Sequence, residues 1–249
     1  METNTETVMK INGGSKPVDI NQIHEQSGRG PSFKPWGIRA IKDRLKTQTR
    51  RVCPEPRPGA RVAGTQYVGD TLYVCELHRG EEHPTIPAPY QPGTWLHLRE
   101  PTEKCVRDFE RGPYAGHHEE MAYSADKKPV VGLDGEPVDW KKANGEPYIP
   151  DRLAGIFMRK CAARLYVQFD VRVERLTDIT PEDAHAEGVW YWAKAHNLED
   201  TFEYGRRDKR RAWAMFPRMW NWINPDDPWE SEPLVWVLSL RKLVIREAV

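Results

Sequence analysis

The chain has 249 residues, and its 37 basic side chains balance its 37 acidic ones. Because there is no net charge, binding to long nucleic-acid duplexes is not expected, and any contact with nucleic acid must come from a local patch. The four cysteines are widely spaced with no C-x-x-C pair, and the chain has no signal pattern or membrane-length apolar run, which predicts a cytoplasmic protein with reduced thiols and no membrane partner.

The first predicted elements are a tail and a short helix. Residues 1–30 are polar and predict a tail, so residues 31–249 are expected to form one folded domain. Apolar residues at three- and four-residue spacing between residues 38 and 45 predict an amphipathic helix. This helix leads directly into the sequence KTQTRR at residues 46–51.

The KTQTRR segment combines a potential base, two hydroxyl groups and two fixed cations. A threonine hydroxyl stays protonated near neutral pH, and it becomes a nucleophile only when a neighbouring base accepts its proton. Lys46 fits the base and Thr49 the nucleophile, while the arginines could hold an anionic or carbonyl-bearing substrate. The alternative for these residues alone is a solvated turn in which the threonines cap the chain.

The middle of the chain predicts strands around a long polar insertion. Residues 71–77 and 95–99 have the composition and alternation of strands. Residues 101–151 are polar with repeated turn signals, which predicts an insertion that carries at most short hairpins. Residues 163–176 alternate between apolar and polar side chains and predict a half-buried antiparallel strand.

The C-terminal third predicts helices followed by a closing strand. Thr180 and Pro181 predict the N-cap and first residue of a short helix that opens toward Gly188. Two tryptophan-rich helical segments follow, and the apolar residues 234–240 predict a central strand.

Three of these segments together resemble the ASCH domain family, in particular the larger ASCH-containing proteins of phages and prophages. They are the Lys46-x-x-Thr49-x-Arg51 motif, the turn and strand at Pro89–Glu100, and the capped helix at Asp178–Gly188. The likeness runs over residues 33–243. It implies an α+β fold in which a PUA-like mixed β-barrel is flanked by helices and carries residues 101–151 as a long polar insertion.

The resemblance also implies a catalytic triad. In the smaller ASCH enzymes, a Lys, a Thr three residues later and a Glu in the first helix after a central strand hydrolyse N4-acylated cytidine. These roles fall on Lys46, Thr49 and Glu187. Thr49 would attack the amide carbonyl, Lys46 would accept its proton, and Glu187 would orient Lys46 or serve the leaving amine. The family usually has glycine two residues before the Lys, where this chain has Arg44.

Further contacts are expected with substrate and with nucleic acid. The resemblance assigns substrate binding to Arg51, Arg99 and Glu100. A separate basic run predicts phosphate contacts through Arg206, Arg207, Arg210 and Arg211, and a solvated helix start is the alternative reading of that run. The expected partner is a modified nucleoside or base, with RNA or single-stranded DNA as a further candidate, and no cofactor or metal is expected.

Two classes of function remain open at this point. The expected one is an amidohydrolase that acts on N4-acylated cytidine or a related modified base, which requires Lys46 to be buried and partly neutral. The alternative is a noncatalytic module that binds RNA or a modified base in the same pocket. A ribonuclease is a third option, because this activity also occurs among ASCH proteins.

Overall fold

The structure is a computed structural model that describes residues 19–109, 116–130, 138, 151–198 and 208–246. The described helices are α1 (Ile20–Gln26), α2 (Pro35–Lys42), α3 (Pro181–Ala186), α4 (Val189–Ala195) and α5 (Lys209–Ile223). The described strands are β1 (Gly28–Ser32), β2 (Gln48–Val52), β3 (Arg61–Val68), β4 (Thr71–His78), β5 (Glu81–Pro87), β6 (Leu96–Arg99), β7 (Thr102–Phe109), β8 (Gly116–Tyr123), β9 (Arg152–Leu153), β10 (Leu165–Arg175) and β11 (Leu234–Ile245).

The strands form three sheets. The largest has the order β1-β6-β10-β11-β2, and the two smaller sheets have the orders β3-β4-β5 and β8-β7-β9. Strand β1 is parallel to β6, whereas β6 pairs with β10, and β11 with β2, in antiparallel fashion. Within the described residues, the five-stranded sheet ends at β1 and β2 and no pairing closes it into a barrel. The described helices and strands confirm the predicted α+β class.

The chain divides into two compact units. Unit 1 comprises Met1–Arg39, Trp95–Val167 and Lys242–Val249, and unit 2 comprises Ala40–Thr94 and Gln168–Arg241. The divisions fall inside α2, β10 and β11, so each of these elements contributes residues to both units.

Unit 1 contains regular structure in the region where the sequence predicted a tail to residue 30. The side chain of Asp19 accepts a hydrogen bond from Asn21 N and caps α1, which buries Ile20 and Ile23 in the core of unit 1. Residues 19–30 are thus part of the fold. Two buried side chains in one short helix are too few to give a periodic signal, which is why the sequence pattern did not predict this helix.

The insertion predicted at residues 101–151 contains a hairpin. Strands β7 and β8 have eight residues each and pair in register from Thr102 and Tyr123 onwards. Both residues at the base of this hairpin are buried. The hairpin is formed by backbone hydrogen bonds between β7 and β8. Because its side chains are mostly polar, these residues carry no strand signal in the sequence.

The elements of unit 2 follow the sequence prediction more closely. The strand predicted at residues 71–77 is β4, and it lies at the centre of its sheet. The side chain of Thr180 accepts a hydrogen bond from Asp183 N and Pro181 begins α3, as the capping pattern predicted. In the part of the chain that the structure describes, no helix has the length and apolar character needed to cross a membrane.

Candidate functional site

Backbone hydrogen bonds place Lys46 between α2 and α3. After α2 the chain turns through Arg44, whose φ of 58° is left-handed. Lys46 N then donates to Ala40 O at 3.0 Å, and Thr47 N donates to Ala186 O at 2.8 Å. The start of the KTQTRR segment is therefore anchored to the C-terminal end of α3.

Glu187 and Gly188 form the other side of this contact. Glu187 is the C-cap of α3, and its backbone N–H donates to Asp183 O at 2.9 Å. Gly188 follows with a φ of 79°, in the left-handed region that favours glycine. A Cβ at Gly188 would lie only 3.1 Å from Lys46 Cβ, so glycine permits both the turn and the close approach of the lysine.

The ammonium of Lys46 bonds directly to Glu187. Lys46 Nζ donates to Glu187 Oε2 and to the Glu187 carbonyl oxygen, each at 2.7 Å. The two residues are only 4% and 3% exposed. Burial lowers the pKa of Lys46, and Glu187 opposes that shift, while the charges of Arg51 and Arg50 add to it. The predicted base is therefore buried, and its pKa is shifted in the direction that catalysis requires.

Arg50, whose side chain is buried, extends this pair into an ionic network. Arg50 Nη1 donates to Glu187 Oε1 at 3.0 Å, and Nη2 donates to Glu174 at 2.5 Å and to Asp183 at 3.2 Å. Arg172 also bonds to Asp183 and Glu174, at 3.0 and 3.1 Å. Burial alone would lower the pKa of Arg50, but the surrounding carboxylates outweigh it and raise that pKa.

Thr49 and Arg51 lie on the other face of β2. Arg50 Nη1 donates to Gln48 Oε1 at 2.9 Å, so these two side chains share one face, and strand alternation directs Thr49 and Arg51 to the opposite face. Thr49 is 4% exposed and pairs with Leu238 in β11. Among the described residues, no hydrogen bond joins the Thr49 hydroxyl to Lys46 or Glu187. Hydrogen bonds thus join two members of the predicted triad, and the third forms no hydrogen bond with either of them among the described residues.

The predicted substrate contacts Arg99 and Glu100 belong to unit 1, whereas the other predicted site residues that the structure describes belong to unit 2. Glu100 is 1% exposed and accepts two hydrogen bonds from Arg164, Nε at 2.9 Å and Nη2 at 2.8 Å. Arg99 Nε donates to Gly30 O at 2.7 Å. Arg164 is therefore an ion-pair partner of Glu100, and the sequence motif did not indicate it.

The basic run is described only in part. Arg206 and Arg207 lie outside the described residues. Arg210 and Arg211 are exposed in the first turn of α5, and Arg211 Nε lies 3.5 Å from Asp208 Oδ2. Asp208 also caps this helix. The capping arrangement agrees with the solvated helix start, and phosphate contact stays a prediction.

Unit 2 also has an open cavity of about 570 Å³. Its lining includes residues 55–62 together with Glu174 and Arg175. Its lining residues do not include Lys46, Thr49 or Glu187, so this cavity is not the predicted active site.

The chain matches no model of a known protein family, no curated protein and no solved structure. A buried amine 2.7 Å from a carboxylate can exchange a proton with it, and a lowered pKa makes the neutral amine accessible. The sequence indicated Arg50 only as a substrate contact, and it did not indicate Glu174, because polar residues on a strand are ordinarily expected to face solvent. Asp183 was indicated only as part of the acidic first turn of α3.

Proposed function

We propose that this protein is an ASCH-like amidohydrolase with a PUA-like barrel fold, which removes the acyl group from N4-acylated cytidine or a related modified base. The observation that carries the proposal is the contact between Lys46 and Glu187. These residues are 141 positions apart and come from two separate motifs of the resemblance, yet their side chains meet at 2.7 Å in a buried position.

The conformation before Lys46 gives further support. ASCH proteins usually have glycine two residues before the lysine, and Arg44 occupies that place here. Arg44 adopts a φ of 58°, in the left-handed region where glycine has no steric cost. The chain thus keeps the turn that a glycine would allow, although the residue differs.

The proposed reaction is acyl transfer to Thr49 followed by hydrolysis. Thr49 Oγ1 bonds to the acyl carbon as its proton passes to Lys46, and Arg51 holds the substrate beside it. The bond from that carbon to the exocyclic N4 then breaks, and Lys46 returns the proton to N4, which leaves free cytidine and an ester on Thr49. Water hydrolyses the ester to a carboxylic acid and restores the hydroxyl. Glu187 orients the Lys46 amine throughout.

A noncatalytic module that binds RNA or a modified base is the second candidate. The observation that favours it is the absence, among the described residues, of a hydrogen bond between Thr49 and Lys46. Catalysis requires the Lys46 amine to reach Thr49 Oγ1 when substrate is bound, whereas binding alone has no such requirement.

A substrate panel separates these functions. The purified protein is incubated with several N4-acylcytidines, and chromatography measures the cytidine and carboxylate released. N4-methylcytidine is the matched control ligand, because it lacks the acyl carbonyl. The amidohydrolase releases cytidine from acylated substrates only, while a binding module binds both kinds of ligand and releases no product. Shortening of an RNA added in parallel would indicate a ribonuclease instead.

A further inference from the structure

The guanidinium of Arg50 is held by hydrogen bonds from all three of its nitrogens. An arginine side chain carries five N–H donors in one plane, and that of Arg50 makes five hydrogen bonds of 2.5 to 3.2 Å. The acceptors are side-chain oxygens of Gln48, Glu187, Glu174 and Asp183. Because the donors have acceptors on several sides, the guanidinium cannot turn without breaking hydrogen bonds.

Glu187 divides its two carboxylate oxygens between Arg50 and Lys46. Oε1 accepts from Arg50 Nη1 at 3.0 Å, and Oε2 accepts from Lys46 Nζ at 2.7 Å. The Arg50 side chain has 0% exposure, and strand alternation places it on the face of β2 opposite to Thr49 and Arg51. An effect of Arg50 on the proposed reaction therefore passes through Glu187 and Lys46.

Arg50 also contributes to the charge around the Lys46 amine. Burial is the largest cause of the lowered pKa of Lys46, Glu187 at the end of α3 opposes it, and the cations Arg51 and Arg50 in β2 lower that pKa further. A second arginine of the network, Arg172, bonds to Glu174 and Asp183. Among the described residues, Arg172 forms no hydrogen bond with Glu187.

We propose that Arg50 is a positioning residue: held by Glu174 and Asp183, its guanidinium fixes one oxygen of Glu187 and directs the other toward the Lys46 amine. This inference rests on the proposed function, since it uses the roles given there to Lys46 and Glu187. The resemblance assigns no role to this place in the chain, which is the unspecified residue between Thr49 and Arg51. A cation here also favours the neutral amine, the form that can accept a proton.

Two double variants compare Arg50 with Arg172. The test variant combines Arg50→Gln with Glu174→Gln, and the matched control combines Arg172→Gln with Glu174→Gln. Each removes one cation and the same carboxylate, so the loss of charge is equal in both. The test variant alone removes the hydrogen bond to Glu187. Thermal unfolding midpoints check that both variants are folded.

An NMR titration of Lys46 gives a readout that does not depend on turnover. The protein is prepared with isotope-labelled lysine, and the Cε signal of Lys46 is identified by its loss in Lys46→Met. The test variant should titrate at a higher pH than the wild type, because a nearby cation is lost while Glu187 remains. The control should titrate close to the wild type. Equal titration midpoints in the two double variants would overturn the proposal.

Turnover of N4-acetylcytidine gives a second readout. The kcat of the test variant should be at least about tenfold below that of the control. The two KM values should agree within about twofold, because Arg50 does not lie on the face of Thr49 and Arg51. Equal kcat values would overturn the proposal. If the wild type releases no cytidine, the hydrolase is refuted, and the NMR midpoints still decide whether Arg50 acts on the Lys46 amine.

The single variant Arg50→Lys separates geometry from charge, and its comparison with the wild type also holds when the double variant does not fold. Lysine keeps the positive charge but has its three donors on one nitrogen, so it cannot span Glu187, Glu174 and Asp183 as the guanidinium does. The Lys46 midpoint should stay near that of the wild type, whereas kcat should fall at least about tenfold. A kcat equal to that of the wild type would show that the guanidinium geometry is not needed and would overturn the proposal.

Discussion

The ammonium of Lys46 donates two hydrogen bonds to Glu187, one to its carboxylate and one to its backbone carbonyl oxygen, each at 2.7 Å. The backbone contact ties the amine to the end of α3 independently of the carboxylate. The two contacts together hold the buried Lys46 amine at the end of α3.

Replacing Glu187 should destabilise the protein. Glu187→Gln removes the charge that neutralises Lys46 in a buried position and takes one carboxylate from Arg50, so a loss of roughly 3 kcal/mol in the free energy of unfolding is expected. Glu182→Gln is the control, because Glu182 lies on the same helix and its ion pair with Lys209 is exposed. Urea unfolding measures both, and the control should change little.

A double variant separates the pair from general damage to the fold. If Lys46 and Glu187 interact as described, Lys46→Met combined with Glu187→Gln should lose less stability than the sum of the two single losses. Additive losses would show that the contact contributes nothing of its own.

Lys46 should also make stability depend on pH. Burial lowers its pKa in the folded protein below the unfolded value of 10.5. Between these two pKa values the unfolded chain binds more protons than the folded one, so the free energy of unfolding contributed by Lys46 rises with pH up to 10.5. Urea unfolding from about pH 7 upward should show a smaller rise in Lys46→Met than in the wild type. Lys194→Met, which removes an exposed lysine, should follow the wild type, and parallel curves for all three would refute the lowered pKa.

Gly188 offers a test of close packing against Lys46. Gly188→Ala and Gly93→Ala both place alanine at a positive φ, 79° and 76° respectively. Each should lose about 1 kcal/mol in the free energy of unfolding from that conformation. Only Gly188→Ala adds a Cβ that lies 3.1 Å from Lys46, because nothing lies within 4 Å of the corresponding atom at Gly93. A larger loss for Gly188→Ala is expected, and equal losses would show that Lys46 moves aside at no cost.

His97 should make unit 1 sensitive to acid. Burial lowers its pKa in the folded protein to about 4, below the usual 6.5, so the unfolded chain binds more protons between these values. The free energy of unfolding contributed by His97 therefore falls as pH drops from 6.5 to about 4. Chemical unfolding of His97→Gln should show a shallower fall than the wild type. His83→Gln removes a half-exposed histidine and should match the wild type. An unchanged fall in His97→Gln would contradict the lowered pKa of His97.

The contact between Lys46 and Glu187 was predictable because each residue lies in a local sequence motif. The capping signals at Thr180 and Pro181 define α3, and the resemblance supplies the pairing of its last residues with the lysine. The conformation of Arg44 was not predictable, since arginine gives no signal for a positive φ.

The network around Arg50 was not predicted, because polar residues on a strand are usually expected to face solvent. Arg50 lies in β2 and Glu174 in β10, on a strand that the sequence predicted as half-buried and antiparallel. The Arg50 guanidinium lies 5.8 Å from the ring of Phe216 in α5, which shows that a helix covers this face. Which helix covers which face of a sheet is a tertiary feature, and alternation along one strand does not contain it.

Turnover of N4-acetylcytidine by two neighbouring threonine variants tests the central claim most directly. Thr49→Val removes the proposed nucleophile, whereas Thr47→Val removes a hydroxyl from a residue that contributes its backbone N and O to the fold. With equal thermal stability, Thr49→Val should release cytidine at least about a hundredfold more slowly than the wild type, and Thr47→Val should remain close to it. Release of cytidine by Thr49→Val at the rate of Thr47→Val, or no release by the wild type, would contradict the account.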